Sequence, residues 1–113
     1  AAHVSVNALR RQSSMERRAE DVDYYRKKSE VLLVDIRDRE DFLKYHIPGA
    51  VHVPLQKLNA FLLYKSKSML IILCCERGIA SSREAKRYSE CGYRMGTVAG
   101  GVNAYKKLRR NSH

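Results

Sequence analysis

Residues 68–82, Ser-Met-Leu-Ile-Ile-Leu-Cys-Cys-Glu-Arg-Gly-Ile-Ala-Ser-Ser, constrain the fold more than any other part of the chain. The run from Met69 to Leu73 is uniformly apolar, too short for a helix, and rich in Ile and Leu. That is the pattern of a strand buried on both faces, as found inside a parallel sheet. At Cys75 the composition changes to Glu-Arg-Gly and then to Ser, Ala, Glu, Lys and Arg, which predicts a tight loop opening a helix. Ser81, Ala85, Tyr88 and Gly92 are spaced to share one face of that helix.

A strand, a loop containing Gly78 and a helix N-terminus bring several backbone N–H groups to one point. Such a point favours an anion, by roughly 0.3–1 kcal/mol from the dipole alone. Cys75 stands at the start of this loop. A free thiol has a pKa of about 8.5, and lowering it by two units takes about 2.7 kcal/mol of differential stabilisation. Converging N–H groups and Arg77 are the expected source. The plain alternative is that Cys75 is a small core residue, but its place at the strand–loop junction favours a nucleophile.

The segment Cys75-Glu76-Arg77-Gly78-Ile79-Ala80-Ser81 resembles the active-site loop of single-domain rhodaneses, the thiosulfate sulfurtransferase-like family, commonly Cys-x-x-Gly-x-x-Ser. Asp35-Ile36-Arg37, His46-Ile47-Pro48-Gly49-Ala50 and Gly100-Gly101-Val102-Asn103-Ala104-Tyr105 are similar to three further signatures of that family, in order and spacing. The resemblance runs from about Val31 to Leu108. It implies a rhodanese-like α/β fold, a central parallel sheet with helices on both faces. It also implies a sulfurtransferase that carries a sulfane sulfur as a Cys75 persulfide, with Glu76 to Ser81 as the substrate-binding loop and Asp35 and Arg37 supporting its rim. The implied substrates are a small anionic donor such as thiosulfate and a thiol or cyanide acceptor, a protein thiol among them, with no cofactor and no metal. The other reading is a non-catalytic rhodanese-like binding or regulatory module, a class that typically lacks the Cys. This chain departs from the family at three positions: Ala80 replaces an Arg often found five residues after the Cys, Tyr45 a Gly, and Tyr105 a Trp. A phosphatase on the same fold needs an Arg six residues after its Cys, where this chain has Ser81.

Length and charge fit this picture. A chain of 113 residues suits one domain with one modest core. The expected division is a strand/helix extension over 1–30 and a rhodanese-like core over 31–113. No apolar run approaches the ~20 residues of a membrane helix, and the N-terminal residues lack a signal-peptide core. Three cysteines, two of them adjacent, form neither a disulfide framework nor a zinc-site spacing. They suit a reducing compartment, so the expected location is cytoplasmic. The net charge is +10, and residues 71–113 hold nine Lys and Arg against three acids. The half with the cysteine loop is therefore the one that attracts anions. No motif or aromatic–basic alternation points to nucleic acid.

Along the rest of the chain, Val4-Ser-Val6 reads as a weak first strand. Ser13-x-x-Glu16 has the form of a capping box, which predicts a helix from about Ser14 to Lys28. Val31 to Val34 is a buried strand with Asp35 and Arg37 at its C-terminal end, where ligand sites of open α/β sheets lie. By themselves they read as a structural ion pair. Asp38 to Asp41 open a short helix with Phe42 facing inward. His46 beside the Pro48-Gly49 turn reads as structural. Val51 to Val53 is a short strand, Leu55 to Tyr64 a helix, and Arg94 to Val98 a last strand. Ala104, Tyr105 and Leu108 give a closing helix its apolar face.

Overall fold

The computed structural model describes residues 16–27 and 31–111. Five strands form one parallel sheet: β1 (Glu16–Arg17), β2 (Val31–Asp35), β3 (Val51–His52), β4 (Leu70–Cys74) and β5 (Arg94–Val98), in the spatial order β1-β5-β4-β2-β3. Among the described residues five α-helices lie between or after them: α1 (Val22–Arg26), α2 (Arg39–Lys44), α3 (Leu58–Leu62), α4 (Ile79–Glu90) and α5 (Gly101–Asn111). Short 3-10 turns, Ala19–Asp21 and Leu55–Lys57, lead into α1 and α3.

Alternation along the strands divides the core in two. Val34, Ile71, Leu73 and Met95 point to one face and pack with Leu58 and Leu62 of α3 and Ala85 and Tyr88 of α4. Leu33, Ile72 and Val98 point to the other and pack with Val22 of α1 and Val102 and Tyr105 of α5. Helices therefore cover both faces, which explains why the central strands are apolar without interruption. The parallel register pairs Asp35 with Cys74 and Leu73 with Thr97. Asp35, the cysteine pair and Thr97 thus share the C-terminal edge of the sheet.

Several local expectations need correction. The predicted helix from Ser14 to Lys28 does not begin where the capping box suggests, because Glu16–Arg17 pair with Thr97 and Val98 as the edge strand. Helix forms only from Ala19, and Ser13 and Ser14, like Val4 to Val6, lie outside the described residues. Edge pairing supplies backbone hydrogen bonds to a segment whose own side chains carry no strand signal. Phe42 is half-buried rather than in the core: its ring stacks between His46 (centroids 3.8 Å) and His52 (4.8 Å). The helix expected to run to Tyr64 stops at Leu62, with Leu63 and Tyr64 exposed. Leu108 is at the edge of the apolar face of α5, 36% exposed. His46 has the structural role expected, with Nδ1 2.9 Å from the carbonyl oxygen of Phe42.

Helix α5 is fastened at two points. At its N-terminus the N–H of Val102 donates to the Cys75 carbonyl (2.8 Å) and that of Asn103 to the Glu76 carbonyl (3.1 Å). Gly101 makes this possible. Its φ is +68°, and a Cβ there would overlap the carbonyl oxygens of Cys75 and Glu76. One turn on, the buried Tyr105 hydroxyl donates to Asp23 Oδ1 at 2.7 Å, tying α5 to α1.

Two predictions follow from these fastenings. Gly101→Ala combines backbone strain with overlap against backbone atoms, so it should lower unfolding stability by about 3 kcal/mol or more, read from urea denaturation. Tyr105 has its pKa raised from 10.0 to about 12, first by burial and then by the hydrogen bond to Asp23. A raised folded-state value means that the neutral phenol stabilises the fold below pH 10. That contribution should be lost as pH rises from about 10 to 12, and Tyr105→Phe should flatten this part of the stability–pH curve.

Candidate functional site

Cys75 follows the last residue of β4 and Gly78 precedes α4, with φ +89°. A Cβ at Gly78 would press on Gly100 N and Val98 O, both at 3.1 Å, so the loop turns tightly against the β5–α5 connection. In a continuous helix the N–H groups of Ile79 and Ala80 would reach back to the carbonyls of Cys75 and Glu76. Those carbonyls are held by α5 instead. Gly78, in the left-handed region, also ends any helical continuity before α4, and the N–H groups of Arg77, Gly78, Ile79 and Ala80 form no hydrogen bond within the described residues. They stand in the turn between Cys75 and α4 as unsatisfied donors of a helix N-terminus.

The Ser81 N–H reaches Cys75 Sγ at 3.3 Å, and Sγ is also 3.3 Å from Ser81 Oγ. Ser81 Oγ in turn lies 2.5 Å from Thr97 Oγ1, and either hydroxyl can donate. Both hydroxyl groups are buried. Ser81 can therefore accept from a Cys75 thiol or, with Thr97 donating to it, turn its own O–H towards a sulfur that carries charge. Thr97 is a member of the site that the sequence analysis missed. The available signal was a hydroxyl residue in an otherwise buried strand beside a small-residue helix face.

Asp35 and Arg37 form a buried pair at the rim. Arg37 Nη2 lies 2.9 Å from Asp35 Oδ2 and Nε 3.1 Å from Oδ1, with side-chain exposures of 7% and 0%. Arg37 also donates to the Tyr45 carbonyl at 2.6 Å and reaches Glu76 Oε2 at 3.4 Å. Burial works against its charge, but the hydrogen bonds and charge of Asp35 outweigh burial and hold its pKa above the ordinary value. The pair thus joins the end of β2, the segment before the His46 turn and the cysteine loop.

The two adjacent cysteines face opposite ways. Cys75 belongs to the core face under α3 and α4, and Cys74 to the face under α1 and α5. Cys74 is fully buried, and burial followed by the nearby Asp35 charge pushes its thiol well above the usual range. Cys91 is exposed at the far end of α4, 12 residues or about 18 Å of helix away from the loop.

A cavity of about 390 Å³ opens over Cys75. One wall is Cys75, Glu76, Arg77, Ile79, Ala80 and Arg83, and the other is Ile36, Arg37, Asp38, Asp41 and Leu55. A larger depression of about 750 Å³ lies beside β3 between His52, Lys57 and Phe61. It contains no cysteine and none of the residues singled out in the sequence, so size does not identify the candidate site here. Of the sequence-predicted residues, Cys75 to Ser81 meet in one loop and Asp35 and Arg37 brace it. Arg77 is exposed at the cavity wall, and Ala80 brings no charge.

Comparison with known proteins agrees with this architecture. The rhodanese-like domain model matches residues 18–108. The thiosulfate sulfurtransferase GlpE of Coxiella burnetii is 27% identical over 81 residues, 71% of this chain and 76% of that protein. The putative sulfurtransferase YtwF of Bacillus subtilis is 27% identical over 77 residues, 68% of this chain and 75% of that protein. Among solved structures, the BH2092 protein of Bacillus halodurans superposes with a TM-score of 0.77 at 23% identity, covering 96% of this chain and 83% of that one. A protein of Rhodopseudomonas palustris described as a possible tyrosine phosphatase gives 0.74 at 22% identity, over 88% and 86% of the two chains, a likeness of fold alone. With the parallel sheet, the cysteine loop at its C-terminal edge and a family match over most of its length, the chain belongs to the rhodanese-like domain family.

Proposed function

We infer that the protein is a sulfurtransferase that moves a sulfane sulfur through a persulfide on Cys75. The observation that carries this reading is the convergence on one sulfur of the Ser81 N–H, the Ser81 hydroxyl and a loop with four unsatisfied N–H groups. In the first half-reaction the Cys75 thiolate attacks the outer sulfur of thiosulfate. A bond forms between Sγ and that sulfur, the sulfur–sulfur bond of the donor breaks, and sulfite leaves with the electron pair. The transferred sulfur then sits above the loop, where the N–H groups of Arg77 to Ala80 and the α4 dipole stabilise its negative charge. In the second half-reaction an acceptor thiolate or cyanide attacks the transferred sulfur, and Cys75 leaves as thiolate. No cofactor enters either step. The relatives named as sulfurtransferases support the reaction class. The cysteines, of which none is bonded to another, fit a reducing, cytoplasmic setting.

A phosphatase reading lacks its main part. The residue six positions after Cys75 is Ser81, buried and bonded to Cys75 and Thr97, so no guanidinium can clamp a phosphate from there.

Intact-protein mass spectrometry after incubation with thiosulfate should find one added sulfur atom, located on the peptide containing Cys75. Cys75→Ser should abolish both the adduct and turnover, whereas Cys74→Ser should cost stability and little activity. A folded Cys74→Ser variant without activity would place the nucleophile wrongly, and no adduct on the native protein would favour the non-catalytic module. Arg77 is the cation assigned to the donor in the absence of an Arg at position 80. Arg77→Ala should raise KM for thiosulfate several-fold at low salt with a smaller effect on kcat, and the difference should shrink as salt screens over ~8–10 Å. Unchanged kinetics at low ionic strength would leave donor binding to the backbone N–H groups alone.

A further inference from the structure

The cavity over Cys75 is electrically divided. On the α4 wall, Arg77 and Arg83 are exposed, and neither forms an ion pair within the described residues. The helix N-terminus adds positive potential on the same side. Glu76, on the α4 wall, is drawn across to Arg37, which leaves that wall a net positive charge from its two arginines. On the opposite wall, Arg37 is neutralised by Asp35, and Asp38 and Asp41 are the charges without an ion pair among the described residues. Asp38 is the N-cap of α2, yet its carboxylate makes no capping hydrogen bond. Asp41 is half-buried in the first turn of the same helix, and its side chain has no partner among the described residues. Ile79 on the first wall and Ile36 and Leu55 on the second add apolar surface beside these charges.

A dianionic donor uses only the cationic wall and meets repulsion from the other. The acidic wall opposes loading of Cys75 by a dianion, and its charge suits a second substrate that carries a cation. Resting on the persulfide reading above, we propose that the preferred sulfur acceptor is an aminothiol, a small thiol with an ammonium group a few bonds from its sulfur. The ammonium is held by Asp38 and Asp41 while the sulfur faces Cys75. A carboxylate on the same molecule, as in an α-amino acid thiol, has Arg77 and Arg83 to meet. The cavity volume of about 390 Å³ admits a molecule of this size. In the transfer, the acceptor thiolate attacks the outer sulfur of the Cys75 persulfide. The new bond joins acceptor sulfur to transferred sulfur, the bond to Sγ breaks, and the electron pair returns to Cys75. No outside oxidant or reductant is needed.

The test uses the full chain, loaded with thiosulfate, freed of donor and checked for the added sulfur by mass. Discharge is then timed with cysteamine, 2-mercaptoethanol and 3-mercaptopropionate, with rates expressed per thiolate. Cysteamine should be fastest, by about fivefold over 2-mercaptoethanol at low salt, the scale of two solvent-exposed ion contacts. The Asp38→Asn, Asp41→Asn double variant should lose this preference and load from thiosulfate somewhat faster, because repulsion of the dianion is relieved. Loading also reports that the variant is folded, and either single variant serves if the double one is not. A persulfide that forms but discharges no faster to cysteamine, or a preference that survives both substitutions, overturns the aminothiol assignment and leaves the sulfurtransferase reading standing. Failure to load the native protein at all removes that reading itself. As a check independent of thiol reactivity, alkylation of Cys75 by 2-bromoethylamine and by iodoacetamide is compared, with exposed Cys91 as internal reference. The cationic reagent should favour Cys75 over Cys91 more than the neutral one does, and equal ratios count against the proposal.

Discussion

Two helix N-termini meet at the cysteine loop, and they use their orphan N–H groups differently. The first N–H groups of α5 are taken by the carbonyls of Cys75 and Glu76. The first N–H groups of α4 stay open, because the left-handed Gly78 ends the chain's preceding direction and a helix has no acceptor for its own first turn. The approach of the two helix ends depends on Gly101, the position where only a missing side chain lets the two backbones come together.

The Asp35–Arg37 pair has a different kind of importance. A buried ion pair repays little of its own desolvation cost, but loss of one partner strands the other, at about 3–5 kcal/mol. Arg37 uses its remaining donors on the Tyr45 carbonyl and on Glu76, so it ties together the end of β2, the segment before the His46 turn and the cysteine loop. That arrangement fixes the distance between the two walls of the cavity. The side chains that face the solvent from those walls are then free to differ in charge without affecting how the walls are held.

How much of this was legible in the sequence depends on the physical origin of each feature. Strands β2 and β4 are buried on both faces, and their apolar runs announced them within a residue of their ends. The face of α4 was readable because Ser81, Ala85 and Tyr88 must be small or apolar to sit against the sheet. Strand β1 was not readable, since Glu16 and Arg17 join the sheet by backbone pairing at an edge and their side chains carry no period. Phe42 was misjudged because hydrophobicity alone does not tell a core position from a ring clamped by two imidazoles. Thr97 is distant in sequence from Ser81, and its hydroxyl in a buried strand is only a faint signal until the packing of α4 on β5 brings the two together. Which carbonyls α5 would hold was equally invisible, being a matter of tertiary approach.

The opening above Cys75 is walled by the sheet edge, the loop and α2, and Sγ lies at its floor with only 7% of the residue exposed. A floor of that depth has room for one reactant along the line of approach. Under the sulfurtransferase reading proposed above, donor and acceptor come and go in turn, and the departing group clears the opening before the next molecule enters. That reading makes the kinetics a double-displacement cycle, in which an excess of either reactant slows the whole by occupying the form of the protein meant for the other. On it, the depth of a single cysteine sets not only what reacts but also the concentrations at which turnover is fastest.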